Sequence, residues 1–135
     1  MKTWIANGEP VYTRDDMPDY AIGFIYEITY TNGKKYIGKK DLFSYKTLPP
    51  LVGQKRKRKV KIESKWKTYS GSTKLSKGLV IQSREIIFYA ETKRALTYLE
   101  VRELFRRDVI FNGKYLNENI GGKYFNNVFD KLKEK

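Results

Sequence analysis

The stretch AIGFIYEITYTNGKKYIGKK, residues 21–40, decides the fold because it holds the clearest β-hairpin pattern in the chain. Every second side chain in its first half is apolar or aromatic, and this spacing predicts a strand with one buried face. The side chains assigned to that face are Ile22, Phe24, Tyr26, Ile28 and Tyr30. Thr31-Asn32-Gly33 then supplies a turn, and residues 35–38 supply the return strand.

The length of the turn decides which side chains share a face. A two-residue Asn-Gly loop would place Tyr26 and Tyr36 on opposite faces of the hairpin. A three-residue loop with Gly33 in the left-handed conformation pairs Tyr26 with Gly38 and puts both tyrosines on the same face. We predict the three-residue loop.

Around this hairpin the chain divides into less regular segments. Residues 1–20 are interpreted as an irregular N-terminal arm, and residues 39–61 as an exposed basic insertion with room for a short strand at 59–63. A short helix or turn is expected at 64–69, and a second helical segment at 74–83. The main domain is predicted to span residues 21–122, followed by a Lys-rich tail at 123–135.

The second regular unit is a strand followed by a helix. Residues 85–90 predict a buried strand, and Thr92 is a typical N-cap for a helix over about 93–108. Glu100 is placed beside the apolar stripe of this helix, toward its polar side. The stripe is assigned to Tyr98, Val101, Leu104 and Phe105.

Composition restricts the chemistry and the partner. Lys and Arg number 28 against 15 Asp and Glu, a net charge of +13, which favours nucleic acid over an anionic membrane or another acidic partner. The chain has no His and no Cys, which excludes Ser/His/Asp and Cys/His catalysis and cysteine metal sites. No segment is apolar enough to cross a bilayer and no signal region is evident, so a cytoplasmic protein is expected.

The hairpin carries two motifs that resemble those of the GIY-YIG endonucleases. Phe24-Ile25-Tyr26 stands in the place of GIY, with Phe24 where the family has Gly, and Tyr36-Ile37-Gly38 matches YIG. The Lys65-Trp66-Lys67-Thr68-Tyr69 segment resembles the family's Arg-Trp-Lys-Xaa-His. Lys65 there replaces the Arg, and Tyr69 replaces the His.

Two later residues complete the resemblance, which spans roughly residues 22–120. Glu100 matches the metal-binding Glu of the family, and Asn117 matches its late Asn, with Asn112 and Asn119 as competing candidates. The resemblance implies an α/β fold with a small central antiparallel β-sheet flanked by helices. It also implies a metal-dependent DNA endonuclease that hydrolyses phosphodiester bonds.

The resemblance assigns roles to five residues of the expected site. Glu100 would hold Mg²⁺ (or Mn²⁺), Tyr26 or Tyr36 would activate water, and the amide of Asn117 would orient the site. Lys65 would contact the phosphate in the place of the Arg, or Arg56 or Arg58 would reach it from the insertion. A free phenol is a poor base at neutral pH, so Lys39, Lys40 or Lys65 would be needed to favour its ionised form.

DNA contacts are expected mainly from basic residues of the insertion, which would bind phosphates without reading sequence. The residues assigned to DNA binding are Lys39, Lys40, Lys55, Arg56, Lys57, Arg58, Lys59, Lys61, Lys67 and Tyr69. The alternatives are a non-catalytic nucleic-acid-binding module and a protein-interaction domain on a repurposed nuclease fold.

Overall fold

A computed structural model describes residues 2–133. The strands are β1 (Trp4–Ala6), β2 (Glu9–Val11), β3 (Gly23–Tyr30), β4 (Lys35–Asp41), β5 (Phe43–Leu48), β6 (Arg58–Glu63), β7 (Ile81–Ala90), β8 (Asn119–Ile120) and β9 (Tyr124–Phe125). The α-helices are α1 (Lys93–Arg106) and α2 (Asp130–Lys133). Single 3-10 turns occupy Arg14–Asp16, Trp66–Thr68, Lys74–Ser76 and Asn126–Phe129.

Five of these strands form the central sheet, in the order β2-β1-β7-β3-β4. The α/β class with a small central sheet is therefore confirmed. The sheet is mixed rather than wholly antiparallel, because β1 runs parallel to β7 while all other neighbours are antiparallel. None of the helices within residues 2–133 has the length and apolar character that a membrane-spanning segment requires.

The β3–β4 hairpin has the predicted three-residue loop. Gly33 adopts a φ of +88°, and the Tyr30 amide donates to the Lys34 carbonyl at 2.8 Å, which closes the loop. Tyr26 pairs with Gly38, so Tyr26 and Tyr36 lie on one face of the sheet as expected. The assignment of Ile22 to that face is wrong, since Ile22 precedes β3 and packs against the opposite core cluster.

Each face of the sheet carries its own core. Phe24, Tyr26 and Ile28 pack with the tryptophans Trp4 and Trp66 on one face. On the other face, Ile25 and Ile37 of the hairpin pack against α1 through its residues Leu96 and Leu104. Both faces of β3 are therefore buried, which makes this strand the centre of the fold.

The interpretation of residues 1–20 as an irregular arm is wrong, because β1 and β2 are part of the sheet. Trp4 is only 1% exposed, and its indole Nε1 donates to the Trp66 carbonyl at 2.8 Å. Strands of three residues are too short to show an alternating pattern, so periodicity could not predict them.

The helix after Thr92 forms as expected, but its buried face differs. The Thr92 hydroxyl accepts from the Ala95 amide at 3.0 Å, and α1 ends at Arg106 rather than 108. Tyr98 and Phe105, assigned to the apolar stripe, are exposed. Leu104 and the partly buried Val101 face the core as predicted, and Leu96 completes the buried face. Residue 100 lies between Leu96 and Leu104 at the four-residue spacing that shares one helix face.

Two buried carboxylates connect α1 to the sheet. Arg107, the residue directly after α1, donates to Glu27 of β3 and, at 3.3 Å, to Glu103 of α1. Lys35 also bonds Glu27, at 3.0 Å. These ion pairs compensate for the burial of the Glu27 and Glu103 side chains, and they fix α1 against the hairpin.

The predicted insertion contains a separate hairpin, in which β5 pairs with β6. The strand expected at 59–63 is present as β6, which begins one residue earlier, at Arg58. The helical segment predicted at 74–83 is wrong beyond Ser76, since Gly78 has a φ of +82° and β7 begins at Ile81. The predicted tail begins with β9, which pairs with β8. Residues 134 and 135 of that tail lie outside the described residues.

We expect Trp4→Ala to lower the free energy of unfolding by about 3–5 kcal/mol, because it empties a buried site between β1 and the hairpin. Ile5→Ala is the matched control, since its side chain is exposed on the other face of β1 and should cost less than about 1 kcal/mol. Chemical denaturation measures both. Equal small losses would mean that residues 1–20 are an arm after all.

Candidate active site at the edge of the sheet

The outer edge of β4 organises the candidate site. In an antiparallel ladder the backbone groups of every second residue point away from the partner strand, and in β4 these are residues 35, 37 and 39. Lys35 is paired by a returning segment: its amide donates to the Lys114 carbonyl at 2.8 Å, and its carbonyl accepts from the Leu116 amide at 2.7 Å.

Asn117 satisfies the next outward position with its side chain. Its Oδ1 accepts from the Ile37 amide at 3.0 Å, and its Nδ2 donates to the Ile37 carbonyl at 2.7 Å. The Asn117 side chain is buried and both ends of its amide are used by the strand. Asn117 therefore holds the outer edge of β4 in place.

Glu100 of α1 reaches the third outward position. The Lys39 amide lies beside its carboxylate, while the Lys39 ammonium donates to the Thr97 hydroxyl at 2.9 Å. The expectation that Glu100 lies on the polar side of the helix is wrong, because it is half-buried against the strand edge. Burial raises the pKa of Glu100, an effect that the charge and amide of Lys39 only partly oppose.

An open pocket of about 530 Å³ lies along this edge. Of the residues predicted for the site, the pocket brings together Tyr36, Lys39, Glu100 and Asn117. Its other polar side chains are Ser72, Thr73, Lys74, Thr97, Glu118 and Asn119. The sequence motifs implied a concave surface, and the pocket along the outer edge of β4 is such a surface.

Tyr36 presents its hydroxyl at the pocket. Its ring is half-buried, and its Oη lies 3.1 Å from the Oγ of exposed Ser72. Burial raises the pKa of Tyr36, and the Ser72 hydroxyl opposes that rise. The neutral phenol is thus the stable form at neutral pH.

Tyr26 lies beneath the pocket. It is fully buried, and a Cβ at Gly38 would collide with its hydroxyl, so the glycine of the second motif is required for the phenol to fit. Burial raises the pKa of Tyr26, and the neighbouring Tyr69 raises it further. The expectation that lysines favour the ionised phenol is therefore wrong for both Tyr26 and Tyr36.

The Lys65–Tyr69 segment packs over Tyr26 but leaves Lys65 outside the pocket lining. Lys65 is exposed where the Trp66–Thr68 turn begins. Trp66 is fully buried, and the Tyr69 ring packs edge-on against Tyr26 at 5.7 Å. Lys67 lies over the Trp66 ring at 5.8 Å, away from the pocket.

Lys39 and Lys74 are the cations among the described residues that line the pocket, and no arginine accompanies them. Arg84, the buried arginine of β7, donates to the carbonyl oxygen of Tyr69 at 2.7 Å and stacks on Trp4, so it supports the fold. Sequence reasoning missed Lys74, and it also missed Ser72. The only signal was a run of small polar residues after Gly71, which has no periodicity.

The basic residues predicted to bind DNA divide between the sheet and the second hairpin. Lys40 lies over the Tyr69 ring at 4.4 Å. Six more project from β6 or from the loop before it and are exposed: Lys55, Arg56, Lys57, Arg58, Lys59 and Lys61. They lie outside the pocket and form a separate basic surface.

The donor set of the pocket fits a magnesium ion shared with a substrate. Within residues 2–133 no group of three or more acidic side chains could hold a metal by itself. Glu100 and Glu118 are the pocket's carboxylates. Mg²⁺ keeps several waters and is commonly held by one or two carboxylates together with phosphate oxygens, which matches this arrangement.

Comparison with protein families accounts for these features. The family model described as "Putative endonuclease segE, GIY-YIG domain" matches residues 4–127, nearly the whole chain. The chain belongs to the GIY-YIG family. The matched range includes β1 and β2, in agreement with their place in the sheet. Comparisons with curated proteins and with solved structures gave no match.

Membership identifies a GIY-YIG endonuclease domain, and hence nucleic acid as the class of substrate. Tyr36, the helix Glu and the late Asn of this member line the pocket at the edge of β4, and Tyr26 lies beneath it. Lys65, which stands in the place of the family's Arg, does not line the pocket.

We expect Asn117→Ala to destabilise the fold by about 1–3 kcal/mol, because the amide and carbonyl of Ile37 lose their partners in a buried place. Asn112→Ala is the control, since Asn112 accepts one bond from the Lys114 amide in an exposed turn and should cost no more than about 1 kcal/mol. Denaturant titration of the two variants decides the matter, and equal losses would remove the role assigned to Asn117.

We expect Glu100→Gln to raise the melting temperature at pH 7. A carboxyl whose pKa is raised in the folded state costs stability once it ionises, and Gln removes that cost. The gain should be present above the folded pKa, shrink as the pH falls through it, and vanish below the ordinary value of 4.5. Thermal melts from pH 3 to pH 8 measure this, and a loss of stability at pH 7 would contradict it.

Proposed function

We propose that this GIY-YIG member is a metal-dependent DNA endonuclease whose active site is the pocket at the edge of β4. The observation that carries the proposal is the convergence of Tyr36, Lys39 and Glu100 on that one pocket. Tyr36 and Lys39 share β4, whereas Glu100 comes from α1, far along the chain. Together they supply a hydroxyl, an ammonium and a carboxylate around a space large enough for a phosphodiester.

Glu100 is the residue that would hold the cation, with exposed Glu118 nearby. Mg²⁺ (or Mn²⁺) bound there would stabilise negative charge on the phosphate and on the leaving 3′ oxygen. The half-buried position of Glu100 supports this role, because a carboxylate that has lost part of its hydration gains most from a cation.

Lys39 and Lys74 would neutralise the remaining charge of the phosphate. Both ammonium groups line the pocket, and Lys39 is fixed by its bond to Thr97. An ammonium grips a phosphate as a point charge, without the paired geometry of a guanidinium. The two lysines would supply the charge that the family takes from its Arg.

Tyr36 is the better placed of the two tyrosines to act on water. Its hydroxyl would accept a proton from the attacking water as it passes its own proton to the Ser72 oxygen, and exposed Ser72 would release its hydroxyl proton to bulk water in the same step. This relay needs no free phenolate, in keeping with the raised pKa of Tyr36. Tyr26, buried beneath Gly38, would set the position of the strand and of the Tyr69 segment.

Removal of the Tyr36 hydroxyl should slow cleavage sharply. We expect Tyr36→Phe to lower the single-turnover rate on duplex DNA by roughly 10²–10⁴-fold, the usual contribution of a positioned acid–base group. Glu100→Ala should abolish cleavage in Mg²⁺ while binding to DNA persists. Tyr98→Phe is the matched control, because Tyr98 is 65% exposed on α1 and should cut like the wild type.

Lys65 stands in the place of the family's Arg, and no arginine is among the described pocket residues. This absence favours one rival function, a DNA-binding module without catalysis. Gel-based cleavage assays in Mg²⁺ and in EDTA separate the two functions. Binding without cutting in any divalent cation would establish the rival, and equal residual cutting by wild type and Glu100→Ala would refute the role of Glu100.

A further inference from the structure

The β5–β6 hairpin forms a basic two-stranded ribbon. Residues 43–63 hold seven basic side chains and one acidic one, in a chain whose net charge is +13. The basic residues are Lys46, Lys55, Arg56, Lys57, Arg58, Lys59 and Lys61, and the acidic one is Glu63. Six paired residues in each strand give the ribbon a length of about 20 Å.

The tip of this ribbon is an ordered turn that presents apolar side chains. The Gln54 amide donates to the Leu51 carbonyl at 2.8 Å, and Gly53 has a φ of +81°, as a type II turn requires at its third position. Val52 occupies the second position and is fully exposed, while Leu51 is 54% exposed.

Two features hold this turn in place. Pro49 and Pro50 precede it and restrict the backbone on one side. On the other side, the guanidinium of Arg58 donates to the Pro49 carbonyl at 3.3 Å. The exposed Leu51 and Val52 are thus presented on a fixed support, although their exposure to water is unfavourable in the isolated protein.

We propose that the β5–β6 ribbon is a DNA-bending arm, in which Leu51 and Val52 wedge between base pairs from the minor groove. Apolar side chains inserted at a base step unstack it and kink the duplex, and flanking cations then contact phosphates on both sides of the kink. The combination of an apolar tip and basic flanks on this ribbon matches that mode of binding.

The position of the ribbon favours DNA over a membrane as the partner. β5 begins only four residues after Lys39, so the base of the ribbon lies within about 14 Å of the pocket along the chain. A duplex that places a phosphate in the pocket is therefore within reach of the arm. The inference rests on the proposed function only for the choice of duplex DNA as the ligand.

Bending can be measured without cleavage. A duplex labelled at its two ends for energy transfer is titrated with protein in EDTA, so that binding and bending are read without the metal. We expect the wild type to bend the duplex by an angle between about 20° and 90°. Leu51→Ser/Val52→Ser should bind but lose the bend, and Val52→Ile should retain it.

Two control variants separate the wedge from general effects. Val80→Ser makes the same change at a valine that is 64% exposed outside the hairpin, and it should bend DNA like the wild type. Lys55→Ser/Arg56→Ser/Lys57→Ser should weaken binding and reduce the slope of log affinity against log salt by up to about 0.9 for each lost phosphate contact.

The proposal is overturned if the wild type binds DNA without bending it, or if Leu51→Ser/Val52→Ser bends DNA as the wild type does. Binding to vesicles of anionic lipid with none to DNA would also overturn it and assign the tip to a membrane. A failure of catalysis is distinguishable, because a protein that bends DNA but never cuts it in Mg²⁺ refutes only the proposed active site.

Discussion

The unpaired outer edge of β4 is the constraint on which the pocket depends. An edge strand leaves a row of amide and carbonyl groups that must find partners when they are buried. Here the backbone of 114–116 pairs with Lys35 and the Asn117 side chain pairs with Ile37, while the Glu100 carboxylate lies beside the Lys39 amide. The bonds that complete the edge also bring Glu100 and Asn117 beside Tyr36, so stability and site geometry have one origin.

The carboxylates of α1 lie where burial makes a negative charge unfavourable, and neighbouring basic residues offset part of that cost. Glu100 is half-buried with a raised pKa, and it meets Lys39 through both the amide and the charge of that residue. Farther along the helix, Glu103 is fully buried but paired with Arg107, which also bonds Glu27. The paired carboxylates anchor α1, and the half-buried Glu100 faces the pocket.

Sequence reasoning reached the hairpin, its register and α1, because alternation, the Asn-Gly turn and the Thr92 cap are local signals. It missed β1 and β2, since three-residue strands have no visible period. It also misjudged the face of Glu100, because exposed Tyr98 and Phe105 resemble core residues. The meeting of Asn117 with Ile37, 80 residues apart, depends on a strand edge that only the tertiary structure reveals.

The central claim is that a cation and a DNA phosphate meet in the pocket. Paramagnetic Mn²⁺ added to the Tyr36→Phe variant with duplex DNA, followed by NMR of backbone amides, tests it most directly. The account predicts that the signals of Ile37, Lys39 and Glu100 broaden first, and more strongly with DNA than without it. Broadening centred on another acidic group, such as Asp15 and Asp16, with the pocket signals unchanged, would contradict it.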